Sequence, residues 1–397
     1  MKSKKLKKWT TLVTCATALT VMTACSQSNS QATGTTSSTT SKTSAVTATT
    51  NKTTNKKNSN YFTSKDSDTS YDESSASKIK LSGSSADVSG DGITVSDSTV
   101  TISKAGTYVI SGKSDGVQIK VDAGDSDDVH IVLDGATMTN TNAPINATKV
   151  GHVYLTLKDG TTSTLSDSSS NSDEDADAVI FSKGDLTING SGTLNIDAKK
   201  NNGIKANDSL HMNGGTYKIT SVGDAFNVND ELNITGTTMT IEAEEDGVKV
   251  DNDDDTSVGT MYLSDNTMTI KAGDDGIHAS GDLIIDSGTY KLEKSTEGIE
   301  GKSVTINGGN IDVYATDDGI NAANSNASQS EIFFKMTGGT LNVEVGEGDT
   351  DPIDSNGDII VSGGTINLTG QSGFDFDGSA TYTGGDITIN GEKQTKI

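Results

Sequence analysis

Residues 274–293 read DDGIHASGDLIIDSGTYKLE. Two aspartates and a glycine open the stretch, and three short alternating apolar pieces follow: Ile277 and Ala279, Leu283 and Ile285, Tyr290 and Leu292. Period-two pieces of this length, punctuated by Gly, Ser and Asp, predict strands and turns rather than helix. The pattern recurs as NNGIKANDSLHMNGGTYKIT from 201, GDAFNVNDELNITGTTMTIE from 223, TEGIEGKSVTINGGNIDVYA from 296 and SGFDFDGSATYTGGDITING from 372. Aligned on the residue after the acid, the copies mark Ala178, Gly203, Ala225, Gly247, Gly276, Gly298, Gly319, Pro352 and Gly373. Repetition at about 22 residues is the signature of a solenoid.

Looser copies stand earlier, at DGITV from 91, DGVQI from 115 and APINA from 143. No helix-forming run of ten or more residues interrupts them, and the Leu-x-x-Leu-x-Leu spacing of a leucine-rich repeat is absent. The predicted fold is therefore all-β: a single-stranded parallel β-helix of about eleven coils, with three short strands per coil and each strand paired to its copy about 4.8 Å away. A thin line of Val, Ile, Leu and Tyr fills such a bore, so 31% hydrophobic residues suffice. Tyr217 and Tyr290 fall on inward positions. Asn189, Asn213 and Asn307 share one turn position and predict a stacked amide ladder.

Just before the aligned mark stand Asp177, Asn202, Asp224, Asp246, Asp275, Glu297, Asp318 and Asp351. A β-helix piles these on one edge. Two carboxylates about 4.8 Å apart repel by roughly 3 to 4 kcal/mol at an effective dielectric near 20. Such a column calls for cations, shifted pKa values or outward splay. Hard, oxygen-rich sites favour Ca2+, and the candidate metal ligands are Asp224, Asp246, Asp275, Glu297, Asp318 and Asp351, with Asp354, Asp375 and Asp377 just beyond. The competing reading is structural: Asp-Gly is a common turn dipeptide in which the aspartate bonds its own backbone. Polar inserts lengthen three coils, at 166–177, 251–258 and 323–331. The second and third follow the first strand of their coils and so emerge on one side.

The 397-residue chain carries a formal charge of −25, and every one of its 30 basic residues is lysine. That field opposes nucleic acid and other polyanions unless a cation mediates. Five lysines stand within residues 1–8, ahead of an apolar run from Leu12 to Met22 and a small-residue end at Thr23-Ala24-Cys25. This predicts a lipoprotein signal peptide over 1–24, with Cys25 lipidated and the protein extracellular, anchored to the cell membrane in the Gram-positive manner. With Cys15 inside the signal, the folded part has no disulfide to form. Residues 25–77 are Ser, Thr, Asn and Lys with little apolar content and predict a disordered tether spanning on the order of 40 Å. The folded domain is then 78–397, and a monomer is expected.

The small-residue end, the Ser/Thr tether and the repeating DGI-x-A … L-x-I-x-GGT-φ-x-I units resemble a family of secreted bacterial carbohydrate-binding domain proteins. The resemblance covers about residues 80–395. It implies the right-handed parallel β-helix of the pectate lyase superfamily. It further implies calcium at the acidic edge near Asp224, Asp246, Asp275, Glu297 and Asp318, and binding of plant cell-wall polysaccharide, polygalacturonate and cellulose in particular.

Three functions fit this sequence. The first is non-catalytic binding of an acidic polysaccharide, in which calcium bridges protein and uronate carboxylates. Lys205, Lys249 and His278, two places after the mark, would help hold the chain. The second is a calcium-dependent polysaccharide lyase, which needs a base beside the metal. Superfamily lyases use arginine or lysine; arginine is absent, so Lys205, Lys249 and His278 are the candidate bases, and neighbouring carboxylates would raise a lysine's pKa and make it a poor one. Glycosidase action through aspartate pairs stays open. The third is a wall-associated adhesin or spacer that calcium merely stabilises.

Overall fold

The computed structural model describes residues 60–397 other than 253, 254, 256 and 349, all within one unit, Asn55–Ile397. The signal segment, Cys25 and the tether up to residue 59 lie outside the described residues.

Each alternating piece forms a strand, and strands one coil apart pair in parallel. In the repeat at 274, Ile277–Ile285 supplies the first two strands without a break and Gly288–Lys294 the third. Three parallel sheets result. The first runs from Thr99–Ile102 to Asp375–Phe376, and the second from Ser77–Gly83 to Ala380–Tyr382. The third is built on pieces such as Thr193–Ala198 and Thr216–Ser221 and ends at Asp386–Ile389. The architecture is the predicted parallel β-helix.

Register explains why so few apolar residues are enough. Ile204, Phe226, Val248, Ile277, Ile299, Ile320 and Ile353 pair in sequence along the first sheet, and all have 0% exposure. Each such side chain contributes about 1.5–3 kcal/mol over its exposed state. A one-residue slip would turn the whole column outward, so the register is strongly fixed. Tyr217 and Tyr290 are buried in the bore as expected.

Antiparallel pieces protect the open ends, where unpaired strand edges would otherwise recruit other chains. Ser85–Ser89 folds back on Ser77–Gly83, Ile93–Ser96 on Thr99–Ile102, and Glu392–Lys393 on Asp386–Ile389.

Two expectations change. The tether was drawn to residue 77, but residues 60–76 lie along the outside of the second sheet. Tyr61 stacks on Tyr262 at 3.7 Å between ring centroids, and Asp66 is buried, accepting a hydrogen bond from Thr187. Composition hid this because the segment packs through a few aromatic and charged anchors, not through a repeat. Asn189, Asn213 and Asn307 do share one column, yet they form no amide ladder. Asn189 donates to the Asp66 and Asp68 carbonyls, Asn307 donates to Asp286, and the column between Asn213 and Asp286 is filled by Thr235 and Ser264. In chain order, positions 251–258 and 323–331 both fall between a first-sheet strand, Val248–Val250 or Ile320–Ala322, and a second-sheet strand, Thr260–Ser264 or Phe333–Met336.

Candidate functional site: the acidic edge

The turn between the third and first sheets carries the acids. Asp-Gly here is not the self-bonded turn of isolated peptides. The main-chain N–H of Asp246 donates to Asp224 Oδ1 at 3.0 Å, that of Asp275 to Asp246 Oδ1 at 2.8 Å, and that of Asp351 to Asp318 Oδ1 at 2.8 Å. Asn202 begins the series by accepting from the N–H of Asp224. At these four steps the side chain thus ties one coil to the next. Where the following residue is glycine the coils approach closely: a Cβ on Gly203 would stand 2.6 Å from the Ala225 carbonyl, and one on Gly298 would stand 2.2 Å from that of Gly319, whereas Ala225 and Pro352 are accommodated at the same position.

The second carboxylate oxygen meets a partner from the first sheet's outer row. Asp224 takes Asn227 at 2.6 Å, Asp246 takes Lys249 at 2.8 Å, and Asp275 takes His278 Nδ1 at 2.9 Å. Lys205 bonds Asp177 at 2.7 Å. His278, a candidate base from its sequence position, is held between Asp275 and Glu300, whose Oε2 lies at 3.3 Å. Glu300 was missed as a site residue. Its signal was register: it stands in the same outward row as Lys249 and His278.

Electrostatics follow from burial and crowding. Burial raises the Asp224 carboxyl despite its bond from Asn227. Burial would lower His278, but Asp275 and Glu300 outweigh it and push the imidazole up to about 10. Burial opposes the charge on Lys249 too, yet Asp246 and Asp224 drive its pKa up. Burial, with Glu300 and Asp275 nearby, raises Glu297 well above the carboxylate range, although Asn321 donates to it at 2.9 Å.

Toward the C-terminal coils carboxylate stands in register with carboxylate. Asp354 pairs in register with Asp375, and burial followed by Asp318, Asp375 and Asp351 pushes Asp354 up to about 6. Asp351 also accepts from Ser372, and Asp377 is exposed two residues past Asp375. The structure therefore divides the expected ligands. Asp224 and Asp246 each give Oδ1 to the ladder and Oδ2 to a side chain, yet Asp246 also gathers with Asp275 and Asp274, a carboxylate oxygen from each lying within 4.8 Å of the others. Asp275, His278 and Glu300 form a second such group. All-carboxylate Asp246, Asp274 and Asp275 fit a hard cation that takes its remaining oxygens from water or ligand. His278, protonated between two acids, fits a metal less well.

An open groove of about 610 Å3 lies elsewhere, on the outer third sheet, lined by Lys271, Lys291, Asp312, Tyr314 and Asn342 among others. Its lysines Lys271 and Lys291 already pair with Glu293.

Residues 96–350 and 274–396 match the sequence profile of the family described as carbohydrate-binding domain-containing protein. The chain belongs to that family. A carbohydrate-binding domain-containing protein of Acetivibrio thermocellus is 37% identical over 123 residues, which cover 30% of this chain and 43% of that relative, so the match spans less than half of its length. A solved structure of the polysaccharide lyase-like protein from C. thermocellum, a gadolinium derivative, aligns with 80% of this chain and 95% of that one at 26% identity, with a TM-score of 0.37.

Proposed function

We propose that this carbohydrate-binding family member holds an acidic, polygalacturonate-like polysaccharide at the acidic edge, without cleaving it, through bound Ca2+. The observation that carries the reading is the convergence of Asp246, Asp274 and Asp275 beside Lys249 and His278. Calcium held there would supply the positive charge by which a polyanion can approach a chain of −25. Glu297, Asp318, Asp351, Asp354 and Asp375 continue the edge as further candidate ligands.

Lys205, Lys249 and His278 face outward beside the column and would orient the bound chain. Their pairing speaks against the lyase alternative. A base must give up its proton near working pH, whereas Lys249 and His278 are held protonated by the acids they contact. The same reading places the protein outside the cell, tethered through lipidated Cys25. Co-sedimentation with polygalacturonate, with and without chelator and with ultraviolet detection of unsaturated product, tests it. Calcium-dependent retention without product supports binding; product formation replaces it with a lyase.

A further inference from the structure

Residues 60–76 cover one outward row of the second sheet. Coil by coil and in register it reads His130, Tyr154, Thr187, His211, Asn233 and Tyr262. The segment engages every member. The Tyr61 ring lies flat on Tyr262, with 9° between planes, and Phe62 meets His211 and Tyr262 edge-on. Asn233 donates to the Tyr61 carbonyl at 3.0 Å, and Thr187 to Asp66 Oδ1 at 2.7 Å. Lys65 sits 4.4 Å over the Tyr154 ring, and Tyr71 meets His130 edge-on.

We propose that this row is a glycan-binding platform that residues 60–76 occupy in cis, and that an extended neutral polysaccharide takes their place when the segment lifts. Flat tyrosine faces alternating with Thr, Asn and His groups suit sugar rings, which offer C–H faces for stacking and hydroxyls for directional bonds. Tyr61 already lies on Tyr262 as a stacked sugar ring would. The row advances about 4.8 Å per coil, so a straight polymer is read at regular intervals. The row itself bears no carboxylate, while Asp128, Asp185 and Glu231 flank it in register and oppose a polyanion, which selects a neutral ligand. The inference draws on the carbohydrate-binding reading for its ligand class but uses a different face and no metal.

The test uses the full chain and insoluble cellulose in the presence of chelator, so that the acidic edge does not contribute. The double variant Tyr61→Ala/Asp66→Asn loosens the segment without altering the row. Trypsin cleavage after Lys65 reports lifting, and circular dichroism reports the fold. Faster cleavage is expected together with at least a tenfold rise in cellulose retention, and the rise is expected to vanish when Tyr154→Ala and Tyr262→Ala are added. In the wild-type chain linkage runs the other way: soluble cello-oligosaccharide at high concentration accelerates cleavage after Lys65. Accelerated cleavage in the double variant without added retention, a gain that survives loss of both tyrosines, or wild-type cleavage indifferent to the oligosaccharide overturns the proposal. Calcium-dependent polygalacturonate retention is scored separately, and its failure leaves this result standing.

Discussion

The main-chain N–H of Asp275 donates to Asp246 Oδ1, one coil earlier, at 2.8 Å, while Asp246 Oδ2 takes the Lys249 ammonium at 2.8 Å. One carboxylate thus joins two coils and neutralises a cation in a site where it is almost fully buried. At this position the acid is a structural strut.

Substitution at this strut should therefore be graded. Asp246→Asn keeps an acceptor for the Asp275 N–H but turns its amide NH2 toward the Lys249 ammonium and costs about 2 kcal/mol; Asp246→Ala strands both the N–H and the ammonium and costs about 3–4 kcal/mol. Lys249→Met leaves the carboxylate without its cation and costs about 2–3 kcal/mol. Thermal melting in chelator should rank wild type above Asn, and Asn above Ala. Equal melting of Asn and Ala variants would mean that the ladder bond contributes nothing.

Much of this was legible in the sequence, because a solenoid repeats its physics. Ile277, Leu283 and Tyr290 announce three strands by alternation, and the acid before each mark announces a column. The partners of the acids were harder to read. Lys249 and His278 sit three residues after their aspartates, a spacing that predicts contact in a helix but in this turn depends on how the chain enters the first strand. Residues 60–76 were illegible for a different reason: their affinity for the second sheet lies in Tyr61, Lys65 and Asp66 meeting Tyr262, Tyr154 and Thr187, residues between about 90 and 200 places away in sequence.

Metal affinity should separate from stability at Asp274. This residue is exposed beside the ladder, whereas Asp246 and Asp275 are buried in it. Asp274→Asn should weaken calcium binding about tenfold by calorimetry and shift the metal-free melting temperature little. An unchanged affinity would move the ion away from this group.

The acidic edge also sets a pH dependence. Asp354 is raised from 3.8 to about 6, so the folded state holds its proton more tightly than the unfolded chain does. Stability from this group is intact below pH 4 and is lost as pH rises through about 6. Glu297 is shifted in the same direction and extends the loss to higher pH. Melting in chelator should fall across this window, and Asp354→Asn should flatten the fall. If calcium binds these carboxylates, adding it should restore the loss at neutral pH.

His211 makes the opposite case beneath residues 60–76. Burial would lower it, but Asp66 and Glu231 hold it up to about 9, from 6.5. Docking energy from this group is full below pH 6.5 and is lost as pH rises through about 9. Cleavage after Lys65, normalised to a free peptide of the same sequence, should accelerate as pH rises from about 6.5 to about 9 and level off above that. In His211→Gln that dependence should disappear.

The acidic edge is proposed to bind an anionic polysaccharide through calcium. Co-sedimentation of the intact chain with polygalacturonate tests it most directly. Retention is expected with calcium, loss of retention with chelator, and at least tenfold weaker retention for Asp274→Asn, with no unsaturated product. Retention that ignores both chelator and Asp274→Asn, or no retention at all, would contradict it.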